Sequence, residues 1–244
     1  MEMDKVSMVV MNWLRSDVLK SYILPAMIKY KIIDEIIISH GREDTYFEYD
    51  NPKIVNRKDW GYINENYGLS RRFLAASDAK NDVIFMIDDD EFPTEKAVTK
   101  LYSKYLENPN RMYGAFGRNT RTGRYNLHQR FGHVCVLITK FTLFNKELCK
   151  EFFSHSDSDD VKQIISLGQP YWNGEDIFMS AIARNYYGNN NFSVNVKNNW
   201  VNPCKGRENK RKRAVSSWRG HRKFRTDLVH FCAKKFNIWE NYTK

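Results

Sequence analysis

The sequence predicts an α/β fold: a mixed, mostly parallel sheet, doubly wound, with helices on both faces. Two observations carry this. Strand-like and helix-like segments alternate through residues 1 to 90, the order that builds parallel βαβ units. In addition, Val83-Ile84-Phe85-Met86-Ile87 is an unbroken apolar run of strand length. A strand without polar alternation is buried on both faces, between two layers of helices.

The elements follow in order. Lys5 to Asn12 reads as the first strand. Ser16 is a helix cap with Asp17 in the first turn. Val18, Tyr22, Ile23, Met27 and Ile28 then recur at helical spacing up to about Tyr30. Ile33 to Ser39 is a second strand and Lys53 to Asn56 a weaker third. A helix over Tyr67 to Ala79 carries Arg71 and Arg72. Pro93 and Glu95 suit the first turn of the next helix, which runs to about Glu107. Strands are predicted at Met112–Arg118, His133–Lys140 and Phe192–Val196. Between the first two lies a loop with Arg118, Arg121, Arg124 and Arg130. Helices are predicted at Lys146–Phe153 and Asp159–Leu167, from Glu175 onward, and at Asp227–Ile238.

The strand at Val83–Ile87 ends in Asp88, Asp89, Asp90 and Glu91. Acids at the carboxyl end of a central strand lie where open α/β sheets bind ligands. Adjacent carboxylates repel one another, and a hard divalent cation with oxygen ligands offsets that repulsion. The competing reading is a solvated acidic turn.

Composition narrows the function classes. The 244 residues are 42% hydrophobic and 14% aromatic, enough for a packed core, so a disordered chain is excluded. No apolar run is long enough to span a membrane, and Met1 to Ser7 has no apolar signal core. Cys135, Cys149, Cys204 and Cys232 form no CxxC pair, which disfavours a zinc site. The expectation is a soluble, cytoplasmic, reduced protein. The net charge of +10 favours an anionic partner.

Several segments taken together resemble one family. Asn12-Trp13-Leu14-Arg15-Ser16-Asp17 follows the first strand. Arg71-Arg72-Phe73 places Arg72 sixteen residues before Asp88. Asn173-Gly174-Glu175-Asp176-Ile177, the segment around His133 to Leu148, and Arg225-Thr226-Asp227-Leu228-Val229 after Trp218 complete the set. Over nearly its whole length the chain resembles the exostosin-like α-N-acetylhexosaminyltransferases, of the GT-A glycosyltransferase superfamily. The resemblance implies a single GT-A domain over residues 1–244. Residues 1–90 form its nucleotide-binding half and 91–244 its acceptor and catalytic half. It also implies transfer of a sugar from a nucleotide-sugar, a UDP-sugar, to a glycan hydroxyl, with retention at the anomeric carbon.

The same resemblance assigns residues. Asp90 is the ligand of Mn²⁺ or Mg²⁺, with Asp88 and Asp89 at the ribose and the metal-bound water. Asp176, with Glu175 as second candidate, is the carboxylate at the reacting carbon, where it stabilises developing positive charge. If the enzyme inverts, Asp176 is instead general base on the acceptor. Arg225 contacts the diphosphate through its fixed bidentate charge. Arg15, Arg72, Arg118, Asn173 and Trp218 are further donor contacts. His40 and His221 are either contacts to the nucleotide or metal or structural histidines. The family pairs two cysteines at the positions held here by Gly174 and Leu228, and both are absent together.

One rival class stands beside this reading. Lys205–Arg225 holds ten Lys or Arg and one acid, which also suits a nucleic-acid binder or a metal-dependent nuclease. The same run near a diphosphate site serves the glycosyltransferase reading, with Lys205–Arg213 as a loop that orders over donor and no stable nucleic-acid partner.

Overall fold

Three largely apolar strands, buried on both faces, form the middle of the sheet, because their side chains have no face to present to water. The structure, a computed structural model, describes residues 5–121, 124–167, 173–204 and 219–239. Strand β1 (Val6–Asn12) is buried along its whole length. The chain turns through helical segments α1 (Ser16–Val18) and α2 (Leu24–Met27), joined by a π-helical turn over Leu19–Ile23. It then forms β2 (Ile33–His40) and β3 (Ile54–Lys58). Helices α3 (Tyr62–Tyr67) and α4 (Arg71–Ser77) lead into β4 (Val83–Ile87), again wholly buried.

The second half is more broken. Strand β5 (Phe92–Pro93) precedes α5 (Glu95–Glu107). Short strands follow at β6 (Tyr113–Gly114), β7 (Gly117–Arg118), β8 (Thr120–Arg121), β9 (Arg124–Tyr125), β10 (Gly132–Val134), β11 (Val136–Leu137) and β12 (Thr142–Asn145). Helices α6 (Glu147–Ser156), α7 (Asp159–Ser166) and α8 (Glu175–Tyr187) come next. The described chain closes with β13 (Asn191–Ser193), β14 (Trp200–Val201) and α9 (His221–Phe236).

One eight-stranded sheet runs in the order β10-β13-β6-β12-β4-β1-β2-β3. The pairs β1–β2, β1–β4 and β2–β3 are parallel, as expected. Strand β12 lies antiparallel between β4 and β6, so the sheet is mixed. Alternate residues of β1 feed two cores. Val6, Met8 and Val10 pack with α1, α2 and α5 on one face, while Val9 joins α4, α6, α8 and α9 on the other.

Several boundaries differ from the sequence reading. Ser16 does not cap its helix; the cap position is Arg15, with no side-chain bond. The neighbouring amides are instead satisfied by the carboxylate of Asp89, just beyond β4. Pro93 pairs with Trp200 as strand, and Thr94 caps α5 by accepting from the Ala97 amide. The helix expected over Tyr67–Ala79 is interrupted at Gly68, whose φ of +48° no helix accommodates. Met112–Arg118 and His133–Lys140 each divide into two short strands in different sheets. The final helix starts at His221, before the expected Asp227.

Candidate active site

The parallel strands β1 and β4 end side by side, and this places Asp89 under the turn after β1. Its Oδ2 accepts from the amides of Trp13, Leu14 and Arg15 at 3.1, 3.2 and 3.2 Å. Its Oδ1 accepts from Arg15 Nη1 at 2.6 Å. Burial pushes the Asp89 carboxyl up, against the pull of Arg15 and the amides. Asp89 thus has both oxygens engaged within the protein and is 4% exposed. The sequence reading placed it at the ribose or a metal-bound water; here it anchors the β1 turn and orients Arg15.

Its neighbours have partners of their own. Asp88 Oδ1 accepts from Arg72 Nη2 at 2.9 Å. Because β12 runs antiparallel to β4, residues just before Thr142 lie beside the acids that follow Ile87. Lys140 Nζ accordingly lies 3.3 Å from Asp90 Oδ1 and also donates to Glu91. Burial alone lowers the Lys140 pKa, but Asp90 and Glu91 outweigh it and hold the ammonium charged. The repulsion among the acids is therefore offset by Arg15, Arg72 and Lys140.

A divalent ion fits this arrangement in one way. Among the described residues no group of three His, Cys, Asp or Glu side chains is placed to hold a metal. Asp90 still offers an oxygen, Oδ2, that accepts no hydrogen bond from them. Magnesium-like ions are commonly held by one or two carboxylates together with substrate phosphates and water. The residues present fit that composite site, and do not form a cage of their own.

His40, another expected donor contact, is fully buried. Its Nδ1 lies 2.8 Å from Asn12 Nδ2 and its Nε2 3.3 Å from Asn56 Oδ1. The rings of Tyr46 and Phe47 stand edge-on to it. Burial lowers its pKa, so the neutral imidazole serves as part of the wall. Arg71 lies alongside, bonded to the carbonyls of Asn12 and Gly68 and facing the Trp13 ring.

The second acidic motif approaches from the other half of the chain. Gly174 has φ +127°, and this turn sets Glu175 and Asp176 at the opening of α8. Asp176 Oδ2 accepts from Arg225 Nη2 at 2.5 Å, and its Oδ1 accepts from the Ile177 amide at 2.9 Å. Arg225 also donates to Tyr125 Oη at 2.9 Å and lies 4.5 Å from that ring's centre. Burial opposes the Arg225 charge, yet Asp176 and Tyr125 raise its pKa overall. Glu175 accepts from Thr139 Oγ1 and from the Gly174 amide, both at 3.2 Å. Burial, then the charge on Asp176, raises its pKa to about 7.

Arg72 joins the two motifs. Besides Asp88 it donates to Thr139 Oγ1 at 2.7 Å, and its Nε lies 4.0 Å from Glu175. Asn173 Nδ2 lies 2.7 Å from His221 Nδ1, and burial followed by Arg225 lowers that histidine to about 4. The two positions of the missing cysteines also meet: a Cβ on Gly174 would lie 2.5 Å from Leu228 Cδ2. An apolar contact fills the place of a disulfide, and all four cysteines are buried free thiols.

Arg118 lies on β7, half-buried, with Nη1 on the Gly117 carbonyl. Trp218 and the Lys205–Arg213 run lie outside the described residues. Sequence reasoning missed Tyr125, Thr139 and Lys140. Tyr125 also borders a cavity of about 590 Å³, lined by Arg124–His128 and by Arg222, Lys223, Thr226 and Asp227.

Comparison with known proteins adds the family. The model of the glycosyl transferase family 64 domain matches residues 6–243. A similar solved structure is the Francisella tularensis 2-C-methyl-D-erythritol 4-phosphate cytidylyltransferase. It has 12% identity and a TM-score of 0.51, covering 82% of this chain and 94% of that one. That likeness shows the α/β fold alone. The curated proteins include no match to the chain. Among the described residues no helix is long and apolar enough to cross a membrane.

Proposed function

The chain belongs to glycosyl transferase family 64, and on that basis we propose that it transfers a sugar from a UDP-sugar to a glycan hydroxyl with retention. The observation that carries the reading is Arg72, which ties Asp88 to Thr139 and Glu175 and so holds both acidic motifs in one site. Asp90, whose Oδ2 accepts no hydrogen bond from the described residues, is the ligand for Mn²⁺ or Mg²⁺. When bound, that ion supplies positive charge to the diphosphate leaving group.

The chain's own residues do the rest. Asp176 lies at the reacting face as a carboxylate held in place by Arg225 and the Ile177 amide. A fixed charge there stabilises an oxocarbenium-like transition state without reorganisation. Arg225 and Tyr125 orient Asp176. Glu175, buried and bonded to Thr139, holds Arg72 toward the acids of β4. The cavity bordered by Tyr125, which accepts from Arg225, is the place for the acceptor.

The deciding experiment is a donor-hydrolysis screen across UDP- and GDP-sugars with Mn²⁺, with Asp176→Asn, shown to be folded by its melting curve, as control. Release of UDP and sugar by the native protein, lost in the variant, supports the reading. Anomeric NMR of the product then tests retention. No hydrolysis and no UDP binding would refute the reading.

A further inference from the structure

We propose that Lys140 is a resident cation on Asp90 and Glu91, so that a divalent ion binds Asp90 only in company with the donor diphosphate. The inference rests on the donor-site reading above and deepens it, by setting the order in which the site fills.

The seat for the ammonium is built rather than incidental. The antiparallel approach of β12 to β4 brings residue 140 to the acids. The rings of Phe116 and Phe141 stand 5.6 and 5.9 Å from Nζ. The side chains of Lys140, Asp90 and Glu91 are only 15%, 18% and 12% exposed. Lys140 is the one partner of Glu91 among the described residues.

A dication on Asp90 would share that carboxylate with the ammonium. Like charges at that range in a mostly buried site are poorly screened by salt. The ion alone is therefore disfavoured. A nucleoside diphosphate reverses this, because its phosphate oxygens attract the ion and the ammonium together. Asp90 then turns to the ion while Lys140 keeps Glu91, which explains why the seat has two acids. Linkage requires the reverse effect as well: the ion strengthens nucleotide binding by the same factor.

The probe is Mn²⁺ alone, titrated calorimetrically and by the spin-resonance signal of free Mn²⁺, without nucleotide and then with saturating UDP. Lys140→Gln should bind Mn²⁺ alone at least about tenfold more tightly than native protein, within the usual range of coupling between sites. Saturating UDP should narrow that gap, and Asp90→Asn/Lys140→Gln should lose the gain. Lys140→Arg, which keeps the charge, should stay as weak as native. If removing the charge costs stability, Mn²⁺ alone should raise the melting temperature of Lys140→Gln more than that of native protein. Equal Mn²⁺ affinity of native protein and Lys140→Gln without UDP overturns the inference while leaving the donor site standing. No Mn²⁺ uptake by any form even with UDP overturns the donor-site reading and the inference with it.

Discussion

Arg225 reaches across 49 residues of sequence to donate to Asp176 at 2.5 Å, and both side chains are 5% exposed. The sequence reading gave these residues separate tasks, one at the diphosphate and one at the sugar. In the folded chain they are a buried pair, so changing either leaves the other buried without its charge partner.

Asp176→Asn should therefore do more than slow catalysis. It leaves the Arg225 guanidinium buried with Tyr125 as its remaining hydrogen-bond partner among the described residues, and breaking one side of a buried pair costs roughly 3–5 kcal/mol. Turnover should fall by about 10²-fold or more, as when one electrostatic stabiliser is lost. Urea unfolding of Asp176→Asn, Arg225→Gln and the double variant gives the coupling, expected above about 1 kcal/mol for residues in contact. Additive single effects would mean that the pair does not exist in solution.

Glu175 makes stability pH-dependent. Its carboxyl titrates near 4.5 as an ordinary group and near 7 in the fold, raised by burial. The folded state binds that proton more tightly, so this contribution is full below pH 4.5 and is lost as pH rises through 7. Glu175→Gln stays neutral throughout. Melting curves should show native protein losing ground to the variant across this window, by about 2–4 °C for each kcal/mol. Parallel curves would place Glu175 in contact with water.

Asp88 and Asp89 are adjacent but unequal. Asp89 accepts three amides and Arg15 while buried, whereas the Asp88 side chain is 34% exposed and bonded to Arg72. Asp89→Asn should cost roughly 3 kcal/mol, as for a buried charge pair broken on one side. Asp88→Asn should cost less, because Asp88 is a third exposed and the buried Arg72 keeps Thr139 and Glu175 beside it. Denaturant midpoints decide, and equal shifts would remove Asp89 from its anchoring role.

The thiols give a simpler check. All four cysteines are buried and free, and burial pushes the Cys149 and Cys232 thiols up, away from the reactive thiolate. An aromatic disulfide reagent should titrate none of them within minutes in the native protein and four after denaturation. A denatured count of two would reveal a disulfide.

Local pattern alone was enough to locate β1, β2 and β4 and the acids that end β4. An apolar run has only one way to escape water, and its length and flanks are visible residue by residue. The same pattern placed Glu175 and Asp176 at a helix opening, since Gly174 breaks the chain there. What the sequence left undecided was the partner of each acid. Arg72, Lys140 and Arg15 stand 16, 50 and 74 positions away from Asp88, Asp90 and Asp89. Arg15 and Lys140 meet their acids because of which strands lie beside β4 and in which direction they run, and Arg72 because α4 packs against the sheet. Nothing in the four residues of β12 states that it is antiparallel to β4, yet that choice alone brings Lys140 to Asp90 and Thr139 between Arg72 and Glu175. The acids were legible because burial is a local property of a strand; their cations were not, because Arg15, Arg72 and Lys140 come from three other elements that only the folded chain brings to the end of β4.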